Sequence, residues 1–335
     1  MMHPDAALVT LALLVLLALA FDFMNGFHDA ANSIATVVST RVLKPYQAVV
    51  WAAFFNFVAI YLFEPRVAAT VGKGIIDPSF VDNVVIFGAL IGAIAWNVIT
   101  WYFGIPSSSS HALIGGMIGA AMAKAGFEPL LAPDIIRTTV FIFVSPALGL
   151  LIGGLIMLGI SWCCFRIAPS RLDRWFRRTQ LLTSAMYSIG HGSNDAQKTM
   201  GIIWLLLMSH GLAQRDHLPE WVIVCCYMAI AIGTLCGGWR IIRTMGQKLT
   251  KLTPASGSAA SFGGAITLFI ASHAGIPVST THTITGAILG AGSVQNPSRV
   301  RWGLATSLIY AWLLTIPASA LVAAGAWWVG SKFIH

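Results

Sequence analysis

Long apolar stretches alternate with short polar joints along the whole chain. Ten of them read as crossing segments: 7–40, 46–63, 83–103, 107–123 and 135–165, then 181–208, 220–239, 257–274, 278–294 and 301–330. Several approach the ~20 residues that a helix needs to traverse hydrocarbon, and the longer ones imply a break or a tilt. The stretches at 107–123 and 257–274 are short and rich in glycine and serine, which suits re-entrant hairpins as well as full spans. Non-helical backbone at that depth survives only where protein or a polar cavity covers it. The pattern predicts an all-α polytopic membrane protein.

Composition agrees. Hydrophobic residues make up 57% of the 335, charged residues only 10%, and the mean hydropathy is +0.78. A soluble domain of this size could not keep that much apolar surface from water. The first run, around Leu8–Ala20, has the hydropathy of a signal peptide. It follows an acidic start (Asp5) and continues into Asp22 and a polar motif, so a retained first helix is expected. Cys163, Cys164, Cys225, Cys226 and Cys236 lie in or at the ends of apolar runs without metal-ligand spacing, and read as small hydrophobic fillers.

The chain also repeats itself. Gly104-Ile105-Pro106-Ser107-Ser108-Ser109-Ser110-His111 returns 171 residues later as Gly275-Ile276-Pro277-Val278-Ser279-Thr280-Thr281-His282. Asn25-Gly26-Phe27-His28-Asp29-Ala30-Ala31-Asn32 returns 166 residues later as His191-Gly192-Ser193-Asn194-Asp195-Ala196-Gln197-Lys198. Residues 1–165 and 181–335 are therefore two membrane repeats joined by a basic cytoplasmic linker, 166–180. Five crossings per half force the second copy to insert upside down, giving inverted-topology repeats with broken or re-entrant helical hairpins.

Charge supports that topology and explains the net +8 without nucleic acid. With the linker in the cytoplasm, Arg41, Lys44, Arg166, Arg171, Arg174, Arg177, Arg178, Arg240, Arg243, Lys248, Lys251, Arg299 and Arg301 lie inside. Arg66, Lys73, Lys124, Arg137, Arg215 and Lys332 lie outside, as do both termini. This is the positive-inside distribution.

Candidate chemistry sits in the repeated motifs. Pro106 and Pro277 suit the first turn of a helix, which places Ser107, Ser108, Ser109, Ser110 and Ser279, Thr280, Thr281 at helix N-termini. Hydroxyls, unpaired amides and the helix dipole then make an anion site without Lys or Arg. N-capping combined with small-residue packing is the other reading. Asp29 and Asp195 lie inside apolar segments, where a carboxylate costs roughly 2.5–3.5 kcal/mol. Asn25, Asn32, Asn194 and Gln197 add oxygens beside them, a donor set for a hard cation; a helix–helix hydrogen-bond cluster uses the same groups. Gly26, Gly190 and Gly192 are expected to permit local unwinding. His28 and Lys198 break the symmetry between the copies. Lys198 is expected to pair with Asp195, Asp29 or an anionic substrate, and His28 can change charge near neutral pH. His111 and His282 either orient the hydroxyls or cap packing. Asp22, seven residues before Asp29, shares its face on a continuous helix. Gly115–Gly119 and Gly286–Gly290 have the spacing of close-packing surfaces. No nucleophile with a Ser-His-Asp order stands out, so an enzyme is not expected.

These four motifs, in order and over essentially the whole chain, resemble the inorganic phosphate transporter (PiT) family. Phe103-Gly104-Ile105-Pro106-Ser107-Ser108-Ser109-Ser110-His111 is a particularly close match. The resemblance implies a secondary transporter of inverted repeats that imports inorganic phosphate by cation symport with alternating access. It implies a multi-pass protein of the bacterial inner membrane, a homodimer, no cofactor and no resident metal. Phosphate would meet Ser107–Ser110 and Ser279–Thr281; cations would meet Asp29, Asn32, Asn194 and Asp195, with His28, Lys198, Gln197 and Asn25 beside them. Sodium-coupled members tend to carry Asn-Asp-x-x-Asn in both copies. His28 and Lys198 depart from that pattern and match the bacterial low-affinity branch, which resembles a proton symporter and can carry phosphate as a neutral metal complex. Sodium-coupled symport is the alternative, and an anion channel a more distant one.

Overall fold

The computed structural model describes residues 4–214, 216–245 and 249–334. Of the charges used to orient the chain, Arg215 and Lys248 lie outside those residues, as do the side chains of Lys73 and Arg243. The first half contains α1 (Pro4–Ser39), α2 (Pro45–Val58), α3 (Arg66–Gly74), α4 (Asn83–Phe103), α5 (Ser109–Ala125) and α6 (Ala132–Cys163). The second contains α7 (Pro169–Ser209), α8 (Glu220–Cys236), α9 (Trp239–Arg243), α10 (Pro254–His273), α11 (Thr280–Gln295) and α12 (Trp302–Gly330). Each half thus runs long helix, broken pair, hairpin, long helix. Among the described residues, five helices (α1, α4, α6, α10, α12) are long and apolar enough to cross a membrane; the α2–α3 pair, bent by 86°, makes a sixth if taken as one span. The basic stretch 166–180, expected as a linker, is helical from Pro169 onward and forms the first turns of α7.

The polar breaks fall where the repeated Gly-Ile-Pro segments lie. Gly104 and Gly275 close α4 and α10 in the left-handed conformation, each at φ 66°. Ile105 N–H reaches back to Thr100 O and Ile276 N–H to Ala271 O, both at 2.9 Å, so the two C-termini end identically. The next helices begin later than Pro106 and Pro277 suggest. Ser108 and Ser279 are the N-caps of α5 and α11, accepting from His111 N–H at 3.2 Å and His282 N–H at 3.1 Å. A hydroxyl cap outcompetes proline as the start signal here, which leaves Ser107 and Val278 in the extended break.

The halves are interlocked rather than side by side. α12 packs along α4 and α5, while α6 packs along α10 and α11. α1 lies against α8, and α7 against α2, α3 and α10. Each repeat therefore braces the hairpin of the other.

Glycine makes this exchange possible, and it does so by close approach. α1 and α7 run unbroken through the polar motifs, so the unwinding expected at Gly26, Gly190 and Gly192 does not occur. A Cβ on Gly26 would fall within 3.0 Å of Ile230 O on α8; on Gly192 it would collide with Asn56 O on α2. Gly190 packs against Leu268 and Phe269. Gly115 and Gly119 face Ile316 and Ala320 of α12, and Gly286 and Gly290 face Pro146 and Leu150 of α6. With lipid as solvent, such van der Waals seams are what hold helices together. Gly119→Ala and Gly290→Ala should each cost about 1–3 kcal/mol by overpacking, read as a lower thermal midpoint in detergent. Gly159→Ala, where a Cβ meets nothing within 4 Å, should be neutral or stabilising by about 1 kcal/mol at most.

Candidate functional site

The two hairpins meet tip to tip, and their tips are buried. Ser107, Ser108, Ser109, Ser110, Ser279, Thr280 and Thr281 are each at most 2% exposed. Ser110 Oγ donates to Val278 O at 3.3 Å across the gap between the hairpins. Just behind the tips, the His111 and His282 rings meet at 4.7 Å. His282 stacks on Trp312 at 3.8 Å, and Trp312 Nε1 donates to Pro106 O at 3.1 Å. These histidines therefore pack the base of the tips and leave the hydroxyls to face α1 and α7.

On that side the motif residues reach the tips in matched pairs. Asn32 of α1 donates to Thr281 Oγ1 at 2.9 Å and Thr280 Oγ1 at 3.4 Å on the second tip. Lys198, its counterpart on α7, donates to Ser110 Oγ on the first tip, to Val278 O at 2.7 Å and to Asp195 Oδ1. All three ammonium protons are thereby used. Thr280 Oγ1 donates to Asp195 Oδ2 at 3.0 Å and Thr281 Oγ1 to Asp29 Oδ1 at 3.4 Å. Asn194 braces the second break, donating to Ile276 O and Ser272 Oγ and accepting from Val278 N–H, all at 3.2 Å. His28, at the matching position, braces the first: Nε2 lies 3.1 Å from Thr100 Oγ1 and Nδ1 2.7 Å from Asp29 Oδ1. Ser107 Oγ completes that chain by donating to Thr100 Oγ1 at 2.9 Å.

Asp29, Asp195 and His191 bring ligand atoms within 4.8 Å of one another, a buried group able to hold a cation. His191 Nε2 is 3.2 Å from Asp195 Oδ2, and its Nδ1 is 3.1 Å from Asn56 Oδ1. Ser109 Oγ and Asn32 Oδ1 are buried without a partner, one a donor and the other an acceptor at the place where the tips converge.

Two further pairs of contacts tie down the helix C-termini that lead into the breaks. Arg66 and Thr70 of α3 hold the C-terminus of α10, through Nη1 to His273 O at 3.0 Å and Oγ1 to Gly275 O at 2.7 Å. Arg240 and Thr244, on and just after α9, hold the C-terminus of α4 in the same way, through Tyr102 O at 2.5 Å and Gly104 O at 3.0 Å. A guanidinium at a helix C-terminus also complements the dipole. The broken pairs α2–α3 and α8–α9 thus latch one hairpin each.

A phosphate transporter family model matches residues 25–171 and again residues 164–323, one match per half. The chain belongs to the phosphate transporter family. A probable low-affinity inorganic phosphate transporter of Rhizobium meliloti (strain 1021) is 55% identical over 96% of this chain and 97% of its own length. One of the same description from Bacillus subtilis (strain 168) is 44% identical over 97% and 98%. A solved structure described as the sodium-dependent phosphate transporter superposes with a TM-score of 0.88 at 25% identity, covering 97% of this chain and all of that one. These relatives are transporters, not enzymes.

Within this family fold, the expected residues do not all gather. The hydroxyls, Asp29, Asn32, Asn194, Asp195, His28 and Lys198 do. Gln197 does not face the tips: Val67 N–H donates to its Oε1 at 2.9 Å, and its Nε2 donates to Glu64 O at 3.1 Å. Its amide ties the bend between α2 and α3. Asn25 lies a turn before Asp29, on the side of Asp22. Sequence reasoning passed over His191 as a binding residue, although it opens the second motif opposite Asn25. It also missed Thr100 and Asn56, buried polar residues in otherwise apolar helices. Ser108→Ala and Ser279→Ala should each cost about 1 kcal/mol through the lost cap. Ser109→Ala, which breaks no side-chain hydrogen bond within the protein, should leave the thermal midpoint in detergent within the range of a neutral substitution, about ±0.5 kcal/mol.

Proposed function

We propose that this chain is a secondary transporter that carries inorganic phosphate across the membrane with a coupling cation, by alternating access around the buried tips. The observation that carries this is the meeting of two serine- and threonine-tipped helix N-termini in a lipid-shielded cluster with Lys198, Asp29 and Asp195. Each N-terminus is worth about half a positive charge. Together with one ammonium they offset two carboxylates, so the closed cluster stands near neutrality. An oxyanion added there leaves excess negative charge at low dielectric, which is costly unless cations enter with it. Asp29, His191 and Asp195 are the group to receive one. The names of the relatives supply phosphate as the substrate.

The proton is the favoured coupling ion. Lys198 places its ammonium among a carboxylate, a hydroxyl and a carbonyl oxygen, a donor set that elsewhere suits a sodium ion. His28, paired with Asp29, or one of the carboxylates takes the proton. Sodium coupling is the second reading, favoured by the description of the solved structural neighbour. The positive-inside rule places Arg240 on the cytoplasmic side and Arg66 and both termini on the outer side of a bacterial inner membrane. A homodimer of interlocked repeats, 1–165 and 181–335, is the working assembly. A channel is disfavoured because the tips touch each other and both latches are closed.

Radiolabelled phosphate uptake into proteoliposomes, with pH and sodium gradients imposed separately, tests this. Accumulation above equilibrium driven by the pH gradient is expected. Drive by sodium alone would overturn the proton assignment, and mere equilibration would overturn symport. Ser109→Ala should raise the phosphate KM roughly 10-fold or more, for the loss of one hydrogen bond to a charged group. The latches predict a second asymmetry. With the native cysteines replaced and a thiol placed at Ser109→Cys, Arg66→Ala should speed labelling from the outer side and Arg240→Ala from the inner side, each roughly tenfold. Equal acceleration from both sides would count against paired gates.

A further inference from the structure

Asp22 stands outside the cluster described above. It precedes Asp29 by seven residues on an unbroken helix. At 1.5 Å and 100° per residue, the two carboxyls share a face about 10 Å apart along the axis. Asp22 is 0% exposed, and neither of its oxygens makes a hydrogen bond of normal length and angle. The polar groups beside it are Asn25, one turn on, Thr199 of α7 and Cys226 of α8. Asn25 Oδ1 and Thr199 Oγ1 are also buried and unpartnered. Four buried oxygens from two helices therefore lie together without a well-formed partner, and the donors beside the carboxyl are all neutral. Asp22, when ionised, and Asn25 Oδ1 are acceptors only, and the Thr199 hydroxyl carries a single proton.

The ionisable groups facing this place do not remedy the deficit. They are Asp195 and Lys198 on α7, and Cys226 and Tyr227 on α8. Lys198 has already given its three protons to Ser110, Asp195 and Val278. His28 and Asp29, further along α1, are paired with each other. Of the other helices that touch α1, α2 and α4 carry only Tyr46 and Tyr102, both exposed near helix ends; α5 and α11 bring His111 and His282, which pack on each other behind the tips, and Lys124, Arg240 and His273 on α5, α9 and α10 are exposed near helix ends. A lone carboxylate inside a membrane protein is costly, and such residues mark ion pathways. One positive charge placed among these oxygens removes the cost.

We propose that Asp22, with Asn25 and Thr199, is a second coupling-cation site that takes up one small monovalent cation per transport cycle. The proposal rests on the cation-symport reading above and adds to it a site apart from Asp29, His191 and Asp195. The shared chemistry is a single hard positive charge held by one carboxylate and two neutral oxygens. A proton satisfies it: the neutral carboxyl donates to Asn25 Oδ1 and accepts from Thr199 Oγ1–H. A sodium ion satisfies it by direct coordination to the same oxygens. Either way the charge enters on the α1–α7 seam, the two helices that carry the motif residues to the tips.

The full-length chain in proteoliposomes provides the test. Phosphate–phosphate exchange without a cation gradient serves as the fold control. Accumulation ratios under a pH gradient and under a sodium gradient of equal size count the cations coupled to each phosphate. In Asp22→Asn, exchange remains measurable. The accumulation ratio under a tenfold gradient of the cation bound there falls about tenfold, because one cation fewer is coupled; Asp22→Glu restores it. The arm in which the ratio falls identifies proton or sodium. A wild-type ratio for Asp22→Asn in both arms overturns the proposal. If Asp22→Asn loses exchange altogether, Thr199→Val decides: a raised half-saturating concentration for one cation supports the site, and unchanged values for both overturn it. A wild-type chain that exchanges phosphate but accumulates none under either gradient defeats the symport reading itself, and this site with it.

Discussion

Broken backbone at the centre of a membrane protein has to be satisfied by protein, since lipid offers nothing to bond to. Two helix breaks, at 104–108 and 274–279, impose that constraint here, and most of the architecture answers it. The helix C-terminus that enters each break is closed by a left-handed glycine and a latch from a broken helix pair. The helix N-terminus that leaves it is closed by a serine cap, and an amide or imidazole from a long helix braces the break. What is left over at the meeting point is a set of hydroxyls and positively polarised helix ends. The candidate binding site is that remainder of unspent bonding capacity.

The interlock follows from the same need. A hairpin whose tip is buried inside the protein has two polar ends to protect and only one face that can touch its own repeat. Packing α6 on the second hairpin and α12 on the first gives each hairpin a full-length buttress from the opposite copy. The glycines at 115, 119, 286 and 290 let those buttresses approach backbone to backbone. Neither half can keep its site without the other, so the sequence boundary near 166–180 separates two copies of a pattern and not two folding units.

Much of this was legible from the chain alone, and the failures share a cause. Apolar run lengths placed the long helices and both hairpins, because hydrocarbon thickness leaves little choice. Repetition placed the tips together, because inverted copies put equivalent motifs at equivalent depth. Gly26 and Gly192 were misread because a glycine serves unwinding and close approach equally well in one dimension. Which one applies depends on Ile230 and Asn56, residues far away in sequence. Gln197 was misread for a like reason. Its neighbours in the motif face the tips, but its own side chain points to the α2–α3 bend, whose existence no local pattern announces. Thr100 and Asn56 are buried polar residues in otherwise apolar helices, and only the fold reveals what they bond.

The scaffold is symmetric and the charge is not, and that difference bears on transport. Asn32 and Lys198 occupy equivalent places and reach equivalent tips, but only one is a cation. Asn194 and His28 brace equivalent breaks, but only one can take a proton. Asn25 and His191 open the two motifs, and only His191 joins Asp29 and Asp195. Duplication alone would produce two matched half-sites with no preferred partner for the coupling ion. In the proposed alternating-access cycle, substituting one member of each pair would give the inward- and outward-closed arrangements different electrostatics around the same hydroxyls. On that proposal, the asymmetry would let binding of a cation and of an anion depend on each other.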